Sequence, residues 1–197
     1  MKTFWKSIKI TLAFCVLLAV GYVFILWAFA QAASPGGGKV DVVVENGRIV
    51  GAENVGQAFT KTTYFRGRPS AVDYNGAGSG GSNKATTNPE YLAEVKARID
   101  TFLIDHPYLQ RQDVPAEMVT ASGSGLDPDI SPAGAYAQAR RVAQARGLSE
   151  HTVKELIRQT IQKPWLGLFG TEKVNVLQLN VALDRLKPQT NSSAETL

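Results

Sequence analysis

The residues with the clearest chemical potential are three glycines, Gly76, Gly78 and Gly81, which match the Gly-x-Gly-x-x-Gly fingerprint of dinucleotide-binding sites. Such a fingerprint needs a strand before it and a helix N-terminus directly after it, so that backbone N–H groups meet a phosphate. Here a long irregular stretch comes first, and the next predicted helix starts only at Pro89. The pattern therefore favours glycines that let one backbone approach another backbone or a partner.

Side chains suited to acid–base, nucleophilic or metal chemistry are few. His106 and His151 are the only histidines, Cys15 is the only cysteine, and no spacing is typical of a metal site. No serine lies in a Gly-x-Ser-x-Gly elbow, and the phosphate-binding loop and the Asp-Lys-Thr-Gly phosphorylation motif of P-type pumps are absent. We therefore expect no catalytic residue and no metal site, and the chain cannot itself be an energy-coupling ATPase.

A helix-turn-helix pattern suggests a function of another class. From Arg140 to Ile161, apolar residues on both sides of Gly147 have the spacing of two helices that cross through a glycine turn. The outward positions of the second helix carry both acids and bases, which suits a phosphate backbone poorly. The sequence predicts a helical hairpin in the core, and a membrane-anchored DNA-binding regulator is the alternative.

An apolar run near the N-terminus indicates where the remaining residues act. Residues 10–30 carry no charge and, as a helix, would span about 30 Å, the thickness of a bilayer core. Lysines precede the run and no charge follows it before Lys39, so the positive-inside rule predicts a cytoplasmic N-terminus (1–9) and an extracytoplasmic domain. A cleaved signal peptide is the alternative, since Ala28-Phe29-Ala30 fits the cleavage pattern, but secretory apolar regions are shorter.

Residues 34–187 are long enough for a single domain with a core of its own. Their pattern mixes several amphipathic helices with few strands, which predicts an α+β fold. Basic and acidic residues nearly balance outside the N-terminal lysines, so the overall basicity does not indicate a nucleic-acid-binding surface. The polar residues 188–197 are predicted to be a disordered tail.

Turn and capping residues predict the elements of this domain. Asn46-Gly47 between two β-rich runs predicts a hairpin. Asparagine or serine before an apolar periodic run predicts helices that start at Pro89, at Pro132 and after Ser149. The remaining predicted elements are a helical turn over 115–119, a short strand over 173–176 and a helix over 177–186, and the segment 165–169 is predicted to be an apolar turn.

The residues from 56 to 83, here called the aromatic stretch, show neither the helical nor the strand period. A loop of this length inside a domain is usually functional or disordered. Linkers rarely carry aromatic rings, yet Phe59, Tyr64, Phe65 and Tyr74 lie here among turn-forming residues. We therefore expect the rings to anchor the stretch to something packed.

Three blocks, in the same order, resemble the C subunit of the bacterial Kdp potassium-transporting ATPase. The first contains Gly56-Gln57-x-Phe59, Tyr64-Phe65-x-Gly67-Arg68-Pro69-Ser70-Ala71, Tyr74-Asn75 and Ser79-Gly80-Gly81-Ser82-Asn83. The second runs from Val119 to Pro128, and the third from Val174 to Asp184. Together they span most of the chain, which is more specific than a single motif.

The resemblance implies a non-catalytic accessory subunit with one membrane span, located in the bacterial inner membrane with a periplasmic domain. Its implied partners are a channel-like potassium-translocating subunit and an ATP-hydrolysing subunit, whose assembly it would stabilise. The family is also described as a catalytic chaperone that raises the ATP affinity of the ATPase subunit, so ATP bound through the complex is the one implied cofactor. The predicted orientation is awkward for direct contact, because ATP is cytoplasmic.

The aromatic stretch supplies the residues that we expect to dock a partner, because arginine and aromatic side chains are favoured at interfaces. They are Gln57, Phe59, Tyr64, Phe65, Arg68, Tyr74, Ser79 and Asn83. Lys61, Arg66 and Arg68 flank the rings, and an alternative role for the arginines is to satisfy carbonyl groups of the loop.

Overall fold

The computed structural model describes residues 1–186, so the predicted disordered tail (188–197) lies outside the described residues. Contacts divide the chain into two compact units, Met1–Asp41 and a second that begins at Val42. In chain order the elements are α1 (Lys2–Cys15), α2 (Val23–Ala33), β1 (Val42–Glu45), β2 (Arg48–Ala52), α3 (Pro89–Asp105), β3 (Asp129–Ile130), α4 (Pro132–Arg146), α5 (Glu150–Thr160), β4 (Val174–Asn175) and α6 (Val176–Asp184).

The first unit is dominated by one continuous apolar helix. A π-helical segment, Val16–Tyr22, joins α1 to α2, so that the helix runs from Lys2 to Ala33 and includes the predicted span 10–30. None of its side chains is buried within the unit. Its length and composition are sufficient to cross a membrane.

The second unit confirms the predicted α+β class and begins with the predicted hairpin. Strands β1 and β2 pair antiparallel, with Glu45 opposite Arg48. Asn46 and Gly47 have φ of 50° and 75°, which is the left-handed conformation that a two-residue hairpin turn requires. A bulge interrupts the register between Val43 and Val44.

Helix α3 starts and ends where the sequence predicts. The side chain of Asn88 accepts hydrogen bonds from the backbone N–H groups of Glu90 and Tyr91, and the helix ends before Pro107. Burial increases along the helix, from Val95 to Phe102, toward its C-terminal end. Leu92 is exposed although it lies on the apolar face of the helix, because the first turn of α3 lies at the edge of the core.

The helices α4 and α5 form the predicted hairpin within the core rather than a free recognition motif. Ser131 and Ser149 cap the two helices, and Gly147 ends α4 with φ of 65°. Val142 and Val153 are fully buried where the helices pack. Charges on the exposed face of α5 pair along the helix, as in the salt bridge from Lys154 to Glu150.

A two-residue antiparallel ladder between β3 and β4 leads directly into α6. Asp129 pairs with Asn175, and Ile130 with Val174. The strand β4 and helix α6 agree with the prediction to within two residues, whereas β3 was not predicted because two residues give no detectable period. The side chain of Asn175 caps α6, and its Leu179 and Leu183 are fully buried.

Candidate functional site

The aromatic stretch is ordered although its residues form neither helix nor strand. At its centre the Phe65 side chain is completely buried in the core. The Phe65 N–H donates to Asn180 Oδ1 at 2.8 Å, and Asn180 Nδ2 donates to the Phe65 carbonyl at 2.9 Å. Asn180 lies on α6, and its side-chain amide makes the two backbone hydrogen bonds that a neighbouring strand would otherwise make.

Gln138 on α4 binds the backbone of the next residue, Arg66, in the same way. The Arg66 N–H donates to Gln138 Oε1 at 2.8 Å, and Gln138 Nε2 donates to the Arg66 carbonyl at 3.1 Å. Buried backbone groups need such partners, since leaving one unpaired costs about 1–3 kcal/mol. Two side-chain amides therefore satisfy an extended backbone that no sheet adjoins.

Arg141 is the third buried side chain that holds the stretch. We call Gln138, Arg141 and Asn180 together the clamp. Its guanidinium donates to the carbonyls of Thr62 and Tyr64, and to Gln138 Oε1 at 2.9 Å. Its Nε donates to His106 Nε2 at 3.0 Å, while His106 Nδ1 donates to the Phe102 carbonyl at 2.7 Å. Burial lowers the pKa of Arg141 to about 10, so it stays charged at neutral pH.

His106 is held neutral in this cluster. It is completely buried and its ring stacks on Phe102, with 4.1 Å between the ring centroids. Burial, with a smaller contribution from the Arg141 cation, lowers the pKa of His106 from 6.5 to about 4. A neutral Nε2 is required to accept from Arg141, so the imidazole acts as a structural acceptor.

Tyr64 ties the stretch to two helices on the surface side of the clamp. Its hydroxyl donates to Asp184 at 2.9 Å, and the Arg146 guanidinium lies 4.8 Å from its ring centroid. Arg146 also pairs with Asp184 at 2.7 Å and donates to the Thr63 carbonyl. Phe59 packs against Tyr64, with 5.8 Å between the ring centroids.

The glycine-rich end of the stretch packs against a second glycine-rich loop, residues 122–126. The Gly80 N–H donates to the Ser124 carbonyl at 2.8 Å, and Ser70 Oγ donates to the Gly125 carbonyl at 2.7 Å. A Cβ at Gly81 would lie 3.0 Å from the Gly123 carbonyl oxygen. Of the three fingerprint-like glycines, Gly81 therefore brings two backbones together, whereas a Cβ at Gly76 would meet nothing within 4 Å. The next helix begins only at Pro89, so its N-terminus does not directly follow the glycines.

A cleft of about 440 Å³ opens between the aromatic stretch and α3. Apolar groups form most of its lining, and three arginines contribute to the rest. The lining residues are Ala58, Phe59, Thr60, Arg66, Gly67, Arg68, Pro69, Tyr74, Glu94, Ala97, Arg98, Thr101, Phe102 and Met118. Its volume lies in the range of sites that bind small molecules or partner side chains.

Each of the three arginines in the cleft already has an acidic neighbour. Arg66 pairs with Asp105, Arg68 pairs with Asp127 at 3.2 Å, and Arg98 pairs with Glu94. Among residues 1–186, the buried Nε atoms of Arg66 and Arg68 have no hydrogen-bond partner. Glu94 and Arg98 also line a neighbouring polar cleft of about 420 Å³, which is bounded by the glycine-rich end of the aromatic stretch.

The eight residues that were predicted to dock a partner lie in three different environments in the structure. Phe59, Arg68 and Tyr74 line the cleft. Arg68 also donates to the Ala121 carbonyl, which agrees with the alternative prediction that the arginines satisfy loop carbonyls. Ser79 and Asn83 are exposed on the glycine-rich end. The remaining three serve the stretch itself: Gln57 packs against Gly51, Tyr64 binds Asp184, and Phe65 is buried out of reach of any partner.

Sequence reasoning missed Gln138, Arg141 and Asn180 as the residues that hold the stretch. A signal was present, because each is polar at a helical position flanked by buried apolar residues. Asn180, for example, follows Leu179 and precedes Leu183 by one turn. Within residues 1–186, no three His, Cys, Asp or Glu side chains come together as a metal site.

Comparison with known proteins covers nearly the whole chain. The family described as KdpC, K⁺-transporting ATPase c chain, matches residues 4–185. A potassium-transporting ATPase KdpC subunit from Bacteroides thetaiotaomicron is 62% identical over 189 residues, which are 95% of this chain and 100% of that protein. KdpC subunits from Flavobacterium psychrophilum and Caldanaerobacter subterraneus are 56% and 46% identical, over 95% and 90% of this chain and 100% and 92% of theirs.

Proposed function

The chain belongs to the KdpC family, and from this premise we propose that it is a non-catalytic accessory subunit of a high-affinity potassium uptake ATPase. In this role it stabilises the assembly of a channel-like subunit, which translocates K⁺, with the subunit that hydrolyses ATP. The family membership leaves the DNA-binding alternative without support, and the helices on which it was based form the core of the domain.

The observation that carries the proposal is the cleft beneath the aromatic stretch. Buried side chains from α4 and α6 fix one wall, so a partner would meet a preformed surface and lose little conformational entropy. Its lining combines aromatic rings with arginines, the composition favoured at the centres of protein interfaces. We infer that an apolar side chain of the channel-like subunit enters this cleft, with the arginines at its rim.

The lysines before the apolar helix support an orientation with residues 1–9 in the cytoplasm and the second unit outside. In that orientation the domain lies on the side from which K⁺ arrives. Any effect on the ATP affinity of the catalytic subunit then passes through the complex as a coupling free energy.

Direct contact with ATP is the second candidate function. Three guanidinium groups and several rings around one cleft have the chemistry to bind a phosphate and a base, which is the observation that favours it. A reporter fused after Leu197 separates the candidates, because only a cytoplasmic domain can meet cytoplasmic ATP. A cytoplasmic signal from this reporter would favour direct contact and overturn the proposed orientation.

The docking proposal is tested by filling the cleft from its exposed wall. Ala97 lies on α3, is exposed and lines the cleft, so Ala97→Trp blocks it without disturbing the core. We expect the affinity-tagged chain to retain roughly tenfold less of the channel-like and ATPase subunits on purification from membranes, the loss typical of one interface residue.

Lys96→Trp is the matched control, because Lys96 is exposed on the same helix but does not line the cleft. It should co-purify like the unmodified chain. Equal recovery of both subunits with Ala97→Trp and Lys96→Trp would show that the cleft is not the docking surface.

A further inference from the structure

The second unit carries an exposed apolar tip in the turn between α5 and β4. Its four members are Trp165, Leu166, Leu168 and Phe169, whose exposed fractions lie between 61% and 81%. Large apolar side chains that are exposed together, rather than singly, usually mark a site of interaction. The tip is far from the cleft in sequence and shares no lining residue with it.

The tip is a closed turn with defined hydrogen bonds. The Trp165 and Phe169 backbones exchange hydrogen bonds of 3.0 Å in both directions, and their ring centroids lie 5.6 Å apart. Leu166 and Gly167 have φ of 53° and 71°, which helps the three residues 166–168 to reverse the chain between Trp165 and Phe169. The four side chains are thus displayed on a projecting turn, which is a shape suited to insertion rather than to receiving a ligand.

Few charged side chains lie close to the tip in the chain. The exposed Lys163 precedes the turn by two residues, and the exposed Glu172 follows it by three. Lys173 follows it and pairs with Asp129 at 2.7 Å. A lysine beside exposed tryptophan, phenylalanine and leucine matches the anionic and apolar layers of a bilayer surface.

We propose that the apolar tip inserts into the interfacial layer of the lipid bilayer. Tryptophan favours the headgroup level of membranes because its ring is apolar and its N–H is polar. The tip is covalently tethered to a helix that is long and apolar enough to cross the same membrane, so insertion needs no separate encounter with lipid. This contact gives the second unit a second attachment to the bilayer, whichever side of the membrane it occupies.

The test uses the intrinsic fluorescence of the full chain. It contains three tryptophans, so Trp5→Phe with Trp27→Phe leaves Trp165 as the only indole. The chain is placed singly in nanodiscs of phosphatidylethanolamine and phosphatidylglycerol, with or without bromine on the acyl chains. We expect brominated lipid to quench Trp165 at least roughly twofold, because an indole at the headgroup level lies close to the acyl chains.

A control reporter of similar exposure sits elsewhere on the domain. Ile104 on α3 is 79% exposed, so Ile104→Trp, combined with Trp5→Phe, Trp27→Phe and Trp165→Phe, reports a comparable surface position. It should remain unquenched. Leu168→Asp in the Trp165 reporter should abolish quenching and leave the circular dichroism unchanged, since Leu168 is 81% exposed and supports no core.

Two outcomes would overturn the proposal. The first is quenching of Trp165 no greater than that of the Ile104→Trp reporter. The second is a Trp165 emission that ignores brominated lipid but shifts to the blue when the channel-like and ATPase subunits are present, which would assign the tip to a protein partner. Single occupancy of the nanodiscs prevents a second copy of the chain from producing the quenching.

Discussion

The two halves of the aromatic stretch are fixed by opposite means. Residues 62–66 lie over the core, where long polar side chains from α4 and α6 reach out to satisfy their backbone. Residues 79–81 meet residues 122–126 directly, backbone to backbone, because the glycines lack the side chains that would hold the two loops apart. One half therefore depends on side chains that are present, and the other on side chains that are absent.

This difference determines how each half should respond to change. Removing a buried polar side chain leaves several backbone groups unpaired at once, whereas adding a methyl group to a glycine creates a local clash. Both halves contribute walls to the cleft, through Arg66 in the first and Tyr74 beside the second. The following predictions run from the largest expected effect on stability to the smallest.

Arg141→Met should destabilise the fold most, by about 4 kcal/mol, because it leaves the Thr62 and Tyr64 carbonyls and His106 Nε2 without their donor. The measurement is the midpoint of urea unfolding of the chain in detergent. Arg140→Met is the matched control, since Arg140 is exposed and only lies over the Tyr108 ring. Equal midpoints for the two variants would contradict the claim that Arg141 stabilises the fold.

Lowering the pH should weaken the same clamp through His106. The unfolded chain takes up a proton at its ordinary pKa of 6.5, whereas the folded chain does so only near 4. Stability is therefore full above pH 6.5 and falls as pH drops toward 4, by as much as about 3 kcal/mol. His106→Gln, whose amide can still accept from Arg141, should lose less stability between about pH 7 and pH 4.5.

The control for this pH effect is His151→Gln, because His151 is exposed on α5. This variant should follow the unmodified chain at every pH. If His106→Gln and the unmodified chain lost stability in parallel, the acid sensitivity would come from other groups, such as the carboxylates in surface ion pairs.

Gly125→Ala should destabilise the glycine-rich half by about 2 kcal/mol. Gly125 has φ of 69°, and a Cβ there would lie 2.5 Å from Val72 and 2.8 Å from the Gly80 carbonyl oxygen. Two residues earlier, a Cβ at Gly123 would meet nothing within 4 Å, so Gly123→Ala serves as the control. Unfolding midpoints that do not differ between these alanines would contradict the close approach of the two loops.

Ser79→Ala should have the smallest effect, about 0.5 kcal/mol or less. Its hydroxyl donates to the Ser124 carbonyl at 3.0 Å, but the bond is exposed and water can replace it. Ser70→Ala is the informative comparison, because Ser70 Oγ donates to Gly125 and accepts from the Val72 and Tyr74 N–H groups. Ser70 is partly buried, whereas Ser79 is exposed. A larger loss of stability from Ser79→Ala than from Ser70→Ala would contradict this explanation of the two effects.

Local chemistry made much of the fold predictable. Caps such as Asn88, Ser131 and Ser149 and the turn residues Asn46-Gly47 determine where helices and hairpins begin, and each acts through its immediate neighbours. The α+β class followed from these elements. The exposure of Leu92 could not be predicted, because periodicity gives the apolar face of a helix but not how far the core extends beneath it.

The site was less predictable because its contacts connect distant parts of the chain. Sequence showed that the rings of the aromatic stretch needed an anchor, but Phe65 meets Asn180 across 115 positions, which no local pattern records. The same limit explains why Phe65 was grouped with residues that face a partner. The polar residue Gln138 inside an apolar helical face was the available signal, and its reach to Arg66 required the fold.

The pairing of Phe65 with Asn180 also bears on the order of events during synthesis. The ribosome releases the aromatic stretch long before the residue that satisfies its backbone, so those N–H and carbonyl groups must stay hydrated until α6 emerges. A nascent chain halted before Asn180 could contain every residue of the cleft and yet present no cleft. In the docking mode that we propose, binding by a partner is thereby withheld until translation has passed α6.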